Sequence, residues 1–171
     1  SLSITPASSI GEAAFAVMRK NFVAFLACEP AVMMGDDPEA IHRMRVASRR
    51  LRSAIRLFEP YLSVRVIQMR NELSWTAAAL GAVRDLDVQI AQMGEWVTEP
   101  ELIRLLLKER DNARKKLIRE LSSKRYATLV RVFSAVLKRG TMSRANVRAR
   151  ALDVAPQMIA RKDGSIIIVS S

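Results

Sequence analysis

Residues 41–56 hold the densest group of side chains able to do chemistry. Ile41-His42-Arg43-Met44-Arg45-Val46-Ala47-Ser48-Arg49-Arg50-Leu51-Arg52-Ser53-Ala54-Ile55-Arg56 carries six arginines and one histidine, and no acid. On a helix turning 100° per residue, His42, Arg45, Arg49, Arg52 and Arg56 fall within an arc of roughly 80°. Ile41, Met44, Ser48, Leu51, Ile55 and Phe58 gather on a second arc centred roughly 110° away. One stripe suits burial. The other presents cations in a row about 21 Å long at 1.5 Å per residue. Like charges at i, i+3 and i, i+4 repel by about a few tenths of a kcal/mol per pair. Such a row therefore needs counter-anions. Either carboxylates from neighbouring helices supply them, with Glu72, Asp85 and Asp87 as candidates, or the face receives an extended run of phosphates. A random charged helix would mix signs, which favours the second reading. Guanidinium forks grip phosphate oxygens two at a time. His42 could cap or pack, but it lies on the arginine arc one turn before Arg45, where an imidazole beside an anion becomes a donor.

The row needs a scaffold, and the rest of the chain supplies one. The 171 residues suit one ordinary domain with a real core. Half are apolar and 26% are charged, which excludes a disordered basic tail. Lys and Arg total 28 against 17 Asp and Glu, a net charge of +11, which points to polyanions without naming one. No apolar run approaches the roughly 20 residues of a membrane span, and no signal peptide opens the sequence, so a cytoplasmic protein is expected. One cysteine, Cys28, excludes an internal disulfide and Cys-cluster zinc sites, and one histidine excludes His-rich metal sites.

Apolar residues recur at helical spacing between Pro30, Pro38, Pro60, Pro100 and Pro156. The pattern predicts helices over 9–28, 38–58, 63–80, 82–97, 99–121 and 124–139, with a weaker one near 142–155. Ser9 with Glu12 and Thr98 with Glu101 read as capping boxes. Asp37 before Pro38 reads as an N-cap, and Gly140 as a stop. In 99–121 the expected buried stripe is Leu102, Leu106, Ala113, Leu117 and Leu121. Residues 165–171 read as a strand or tail. The fold class is all-α, an antiparallel helical bundle over 1–150, with 151–171 left as a C-terminal tail.

The run His42-x-x-Arg45-x-x-x-Arg49-Arg50-Leu51-Arg52, then Ile55-Arg56-Leu57-Phe58, resembles the signature helix of the CHAD family, the conserved histidine α-helical domain. Glu72-Leu73-x-Trp75 followed by Leu80-Gly81-x-Val83-Arg84-Asp85-Leu86-Asp87-Val88 is similar to the family's next helix pair. Leu121-x-Ser123-x-Arg125-Tyr126 is a weaker third match, and the likeness covers roughly residues 10–140. The resemblance implies an all-helical domain that binds inorganic polyphosphate without catalysis, often beside a CYTH-type triphosphatase and associated with polyphosphate granules. Carried over, the binding positions are His42, Arg45, Arg49, Arg52 and Arg56, with Arg84 added. Lys115, Lys116 and Arg125 are candidates by basicity.

The family domain has two related halves, each with its own histidine–arginine helix, whereas this sequence has one histidine and no second copy of the motif. Ser1 stands where an initiator Met would, and the chain reads as a natural half-domain or a truncated one. A half-bundle leaves apolar surface uncovered, so a homodimer that rebuilds the two-half domain is expected.

Other chemistries fit poorly. Asp85 and Asp87 point about 200° apart on a helix, so salt bridges suit them better than a shared metal. There is no nucleophile elbow and no Gly-rich phosphate loop, so neither a catalytic residue nor a cofactor is expected. A nucleic-acid binder using the same arginines is the alternative. Aromatics are 5% of the chain, too few for stacking platforms, and the arc holds no Asn or Gln to read adenine edges.

Overall fold

In the computed structural model, which describes residues 10–35, 37–96 and 99–139, the chain is all-helical. Five α-helices follow in order: α1 (Ile10–Met34), α2 (Pro38–Leu57), α3 (Val64–Trp96), α4 (Pro100–Leu121) and α5 (Lys124–Arg139). A single 3₁₀ turn, Glu59–Tyr61, links α2 to α3. No helix among the described residues is long and apolar enough to cross a membrane.

α1 passes through Pro30, which was expected to punctuate the chain, and ends at Met34. The proline forfeits one backbone bond. Buried Val32 and the packing of Ala31 and Met33 carry the helix past it. The stop is Gly35, in the left-handed region at φ 89°, whose N–H donates to the Ala31 carbonyl at 2.9 Å. α2 begins as expected. Asp37 is its N-cap, and its carboxylate accepts from the Glu39 N–H at 2.9 Å ahead of Pro38 at the first turn.

The two helices expected over 63–80 and 82–97 are one, α3, with 33 residues and about 50 Å of length. Gly81 does not break it. Glycine inside a helix costs about 1 kcal/mol, and the burial of neighbouring Leu80 and Val83 outweighs that. α4 starts at Pro100 behind its N-cap Glu99, whose side chain makes no capping bond. Ser9, Thr98, Gly140 and the segments 142–155 and 165–171 lie outside the described residues.

α1 packs on α2, α2 on α3, and α3 on α4, while α5 folds back against α3 and α1. Phe22 meets Phe133 edge-on, with ring centroids 4.8 Å apart, and the Arg19 guanidinium donates to the Leu137 carbonyl at 3.0 Å. Tyr126 donates to Glu29 at 2.7 Å, closing the other end of the same seam. The core therefore runs through Met18, Phe25, Met44, Leu51, Leu73, Leu80, Leu117 and Phe133. Of the stripe expected in α4, Leu117 and Leu121 are buried and Ala113 packs against the core, but Leu102 is exposed. Half of α4 has no bundle to face.

Candidate functional site

α2 divides as its periodicity dictates. Ala40, Ile41, Met44, Ala47, Ser48, Leu51, Ala54 and Ile55 are buried, and the arginine arc beside them looks outward. Ser48, the polar member of the buried stripe, donates to the Leu73 carbonyl at 3.3 Å. It pins α2 to α3 at mid-height. The contacts along this seam run antiparallel, with Arg84 opposite Glu39 and Arg45 opposite Gly81 and Asp85. α3 therefore forms one wall of the arginine face. A Cβ at Gly81 would stand 3.8 Å from Arg45 Nε, an ordinary contact, so the Arg45 side chain lies close along α3 at this point.

The carboxylates on α3 mostly serve other cations. Asp87 accepts from Arg110 Nε at 2.5 Å, and Glu72 holds Arg125 through two bonds of 2.7 and 3.1 Å. Among the described residues, only Asp85 turns from α3 to the arginine face, where it sits 3.6 Å from Arg45, with both side chains well solvated. A pair that exposed contributes little. Arg49 has no hydrogen-bond or ion-pair partner among the described residues. Arg52 is half-buried, and its Nε has no acceptor. Burial first, and then the charges of Arg45 and Arg49, lower the Arg52 guanidinium below its ordinary pKa. Three cations thus stand within each other's field with one loosely held carboxylate among them.

That arrangement attracts an anion that offers several charges in a row. The family model of the CHAD domain matches residues 16–166. The chain belongs to the CHAD family. Among solved structures, this CHAD chain is similar to the crystal structure of the CHAD domain from the plant Ricinus communis, at 28% identity and a TM-score of 0.78. That match covers 92% of this chain and 54% of the plant chain. PptA from Streptomyces chartreusis shares the fold, at 19% identity and a TM-score of 0.66, with 90% of this chain covering 57% of that one. The CHAD chain described here thus spans little more than half the length of either. No curated protein matches it.

The remaining cations singled out from the sequence lie in separate settings. His42 is half-buried in the second turn of α2 and Arg56 is exposed near its end, so the two bracket the row. Arg84 is 3.6 Å from Glu39, which places it beside the N-terminal turn of α2. Lys115 pairs with Asp111 one turn earlier on α4 at 2.6 Å, and Lys116 is exposed next to it. Arg125 stands on α5, held by Glu72 and stacked 4.3 Å over the Trp75 ring. Gly81 stands in the second block of the family resemblance, but its place against Arg45, like that of Glu39 against Arg84, follows from the packing of α2 on α3, which no single segment contains.

Among the described residues, no three His, Cys, Asp or Glu side chains group together. Asp85 and Asp87 go to separate arginines, the salt bridges expected in place of a shared metal.

Proposed function

We propose that this CHAD chain binds inorganic polyphosphate, without catalysis, along the arginine face of α2. The observation that carries the reading is the trio Arg45, Arg49 and Arg52 on one face of α2, answered among the described residues by a single carboxylate, Asp85, at 3.6 Å from Arg45. A polyphosphate chain repeats its charge at short intervals and bends freely, so successive phosphates satisfy successive guanidinium forks. Arg52 is half-buried with its Nε covered, and meets a phosphate through the outer nitrogens of its guanidinium. Arg56 and His42 extend the row, and Arg84, Lys115, Lys116 and Arg125 add basic potential around it. Membership of a family associated with polyphosphate binding supports the ligand class. A CYTH-type triphosphatase partner and a place at cytoplasmic polyphosphate granules accompany this reading.

The test replaces Arg45, Arg49 and Arg52 together by Gln. With an unchanged helical spectrum, affinity for long-chain polyphosphate should fall by about 1,000-fold or more, since each of the three charge-assisted contacts is worth about 1.5–3 kcal/mol. The slope of log affinity against log salt should flatten by about 2, at roughly 0.7 per phosphate contact on a single-stranded polyanion. Unchanged affinity would remove the face from the site. Displacement of polyphosphate by double-stranded DNA at equal phosphate concentration would overturn the ligand assignment.

A further inference from the structure

Beyond the bundle, α3 and α4 continue together as a two-helix arm. Among the described residues, none from Arg84 to Lys116 is buried, whereas both helices have buried residues on the bundle side of those limits. α4 in this stretch is apolar around much of its circumference. Ile103 and Leu106 are half-buried toward α3, while Leu102, Leu105 and Leu107 are 37, 55 and 48% exposed on the two flanks. An isolated helix pair covers one face of each helix. Apolar flanks on both sides call for further helices alongside.

Charge selects the occupant. The arm from Asp85 to Lys116 holds seven acids and six bases, while the rest of the chain holds 22 bases and 10 acids. Several of the arm's acids are already neutralised locally, by Arg110 on Asp87, Arg104 on Glu101 and Lys115 on Asp111. Two copies meeting through their bundles would bring strongly cationic surfaces together. Two copies meeting arm to arm avoid that. The end of α5 does not approach the arm. α5 starts beside Glu72 and passes Met69 with Val132, so it runs toward the beginning of α3. Arg139 therefore lies about 35 Å or more from the arm, at 1.5 Å per residue of α3.

We propose that the arm is the interface of a homodimer, in which the α3–α4 arms of two copies pack antiparallel into a four-helix bundle about a two-fold axis near Leu105. This relocates the uncovered apolar surface expected of a half-domain. α5 closes the core of the main bundle, and among the described residues the exposed leucines lie on the arm. An isologous contact of this kind closes on itself and leaves both α2 faces free for ligand.

The test is light scattering on the full chain after size exclusion, from micromolar to submillimolar concentration and without polyanion, which would bridge basic copies by itself. The expected mass is twice the 19.1 kDa of one chain. Leu105→Glu with Leu107→Glu should return it to one chain mass with the helical spectrum retained, because both side chains are exposed in the single copy. A short polyphosphate that spans a single α2 face should bind this variant as it binds wild type, so failure here is distinct from failure of the arginine face. A wild-type mass of one chain throughout, or a doubled mass that survives both substitutions, overturns the proposal. In a Cys28→Ser background, Leu105→Cys should form a disulfide-linked dimer under mild oxidation. Val64→Cys, equally open at the other end of α3, should not. Equal linkage at the two positions also overturns the proposal.

Discussion

Replacing Arg52 by Met separates a binding role from a structural one, because the two roles predict opposite signs for stability. Arg52 Nε is buried without an acceptor, and Arg45 and Arg49 repel the guanidinium. A buried donor with no partner costs about 1–3 kcal/mol, and each like-charged neighbour at helical spacing adds about a few tenths. Part of the guanidinium still reaches water, so the low end applies, and removing it should relieve about 1 kcal/mol. Met keeps an unbranched stem for the half-buried position. In thermal melts without polyanion the variant should melt about 2–4 °C above wild type. Binding should move the other way. Loss of one charge-assisted contact weakens polyphosphate affinity by about 10–100-fold and flattens the salt slope by about 0.7. Added polyphosphate should then raise the melting temperature of wild type more than that of the variant, since a ligand at concentration L stabilises by RT ln(1 + L/Kd) and the variant has the larger Kd. The measurements are calorimetric melts and titrations at several salt concentrations. A lower melting temperature with unchanged affinity and slope would refute the reasoning and make Arg52 a structural cation.

Gly35→Ala should destabilise by about 1–2 kcal/mol in urea unfolding, the cost of a left-handed side-chain residue, and by more because its Cβ would collide with the Arg114 guanidinium. Arg114 would also lose its bond to the Val32 carbonyl. Gly81→Ala should do the reverse, gaining about 0.5–1 kcal/mol of helix stability, because its Cβ meets only an ordinary contact at 3.8 Å. Tyr126 is raised above its ordinary pKa by burial, then by its bond to Glu29. Its contribution is thus fully present below about pH 10 and declines as pH rises beyond it, where the unfolded chain ionises first. Tyr126→Phe should cost about 1 kcal/mol at neutral pH and flatten that alkaline decline in denaturant titrations from pH 8 to 11.

Helix identity was legible wherever local rules were strong. The N-cap at Asp37 and the span 124–139 follow from neighbouring residues alone, because a cap and an apolar stripe are properties of one segment. The breaks at Pro30 and Gly81 were misplaced for a matching reason. Local propensity disfavours helix at both positions by a few kcal/mol at most, and burial of Val32, Leu80 and Val83 overrides it. The α4 stripe was periodic, and periodicity cannot tell whether a neighbour exists to cover it. Leu102 satisfies the pattern, yet it looks outward.

The sequence by itself determined that α2 has a cation row beside an apolar stripe, because 100° per residue fixes which side chains share a face. It also determined the surplus of eleven positive charges and the absence of acids between His42 and Arg56. Tertiary structure alone decided which carboxylates answer that row. Glu72 and Asp87 lie as near in sequence as Asp85, but the antiparallel register of α3 sends them to Arg125 and Arg110, leaving Arg45 a distant Asp85. Register is a property of two packed helices, set where Ser48 meets Leu73 and the buried faces interlock, and no single segment contains it.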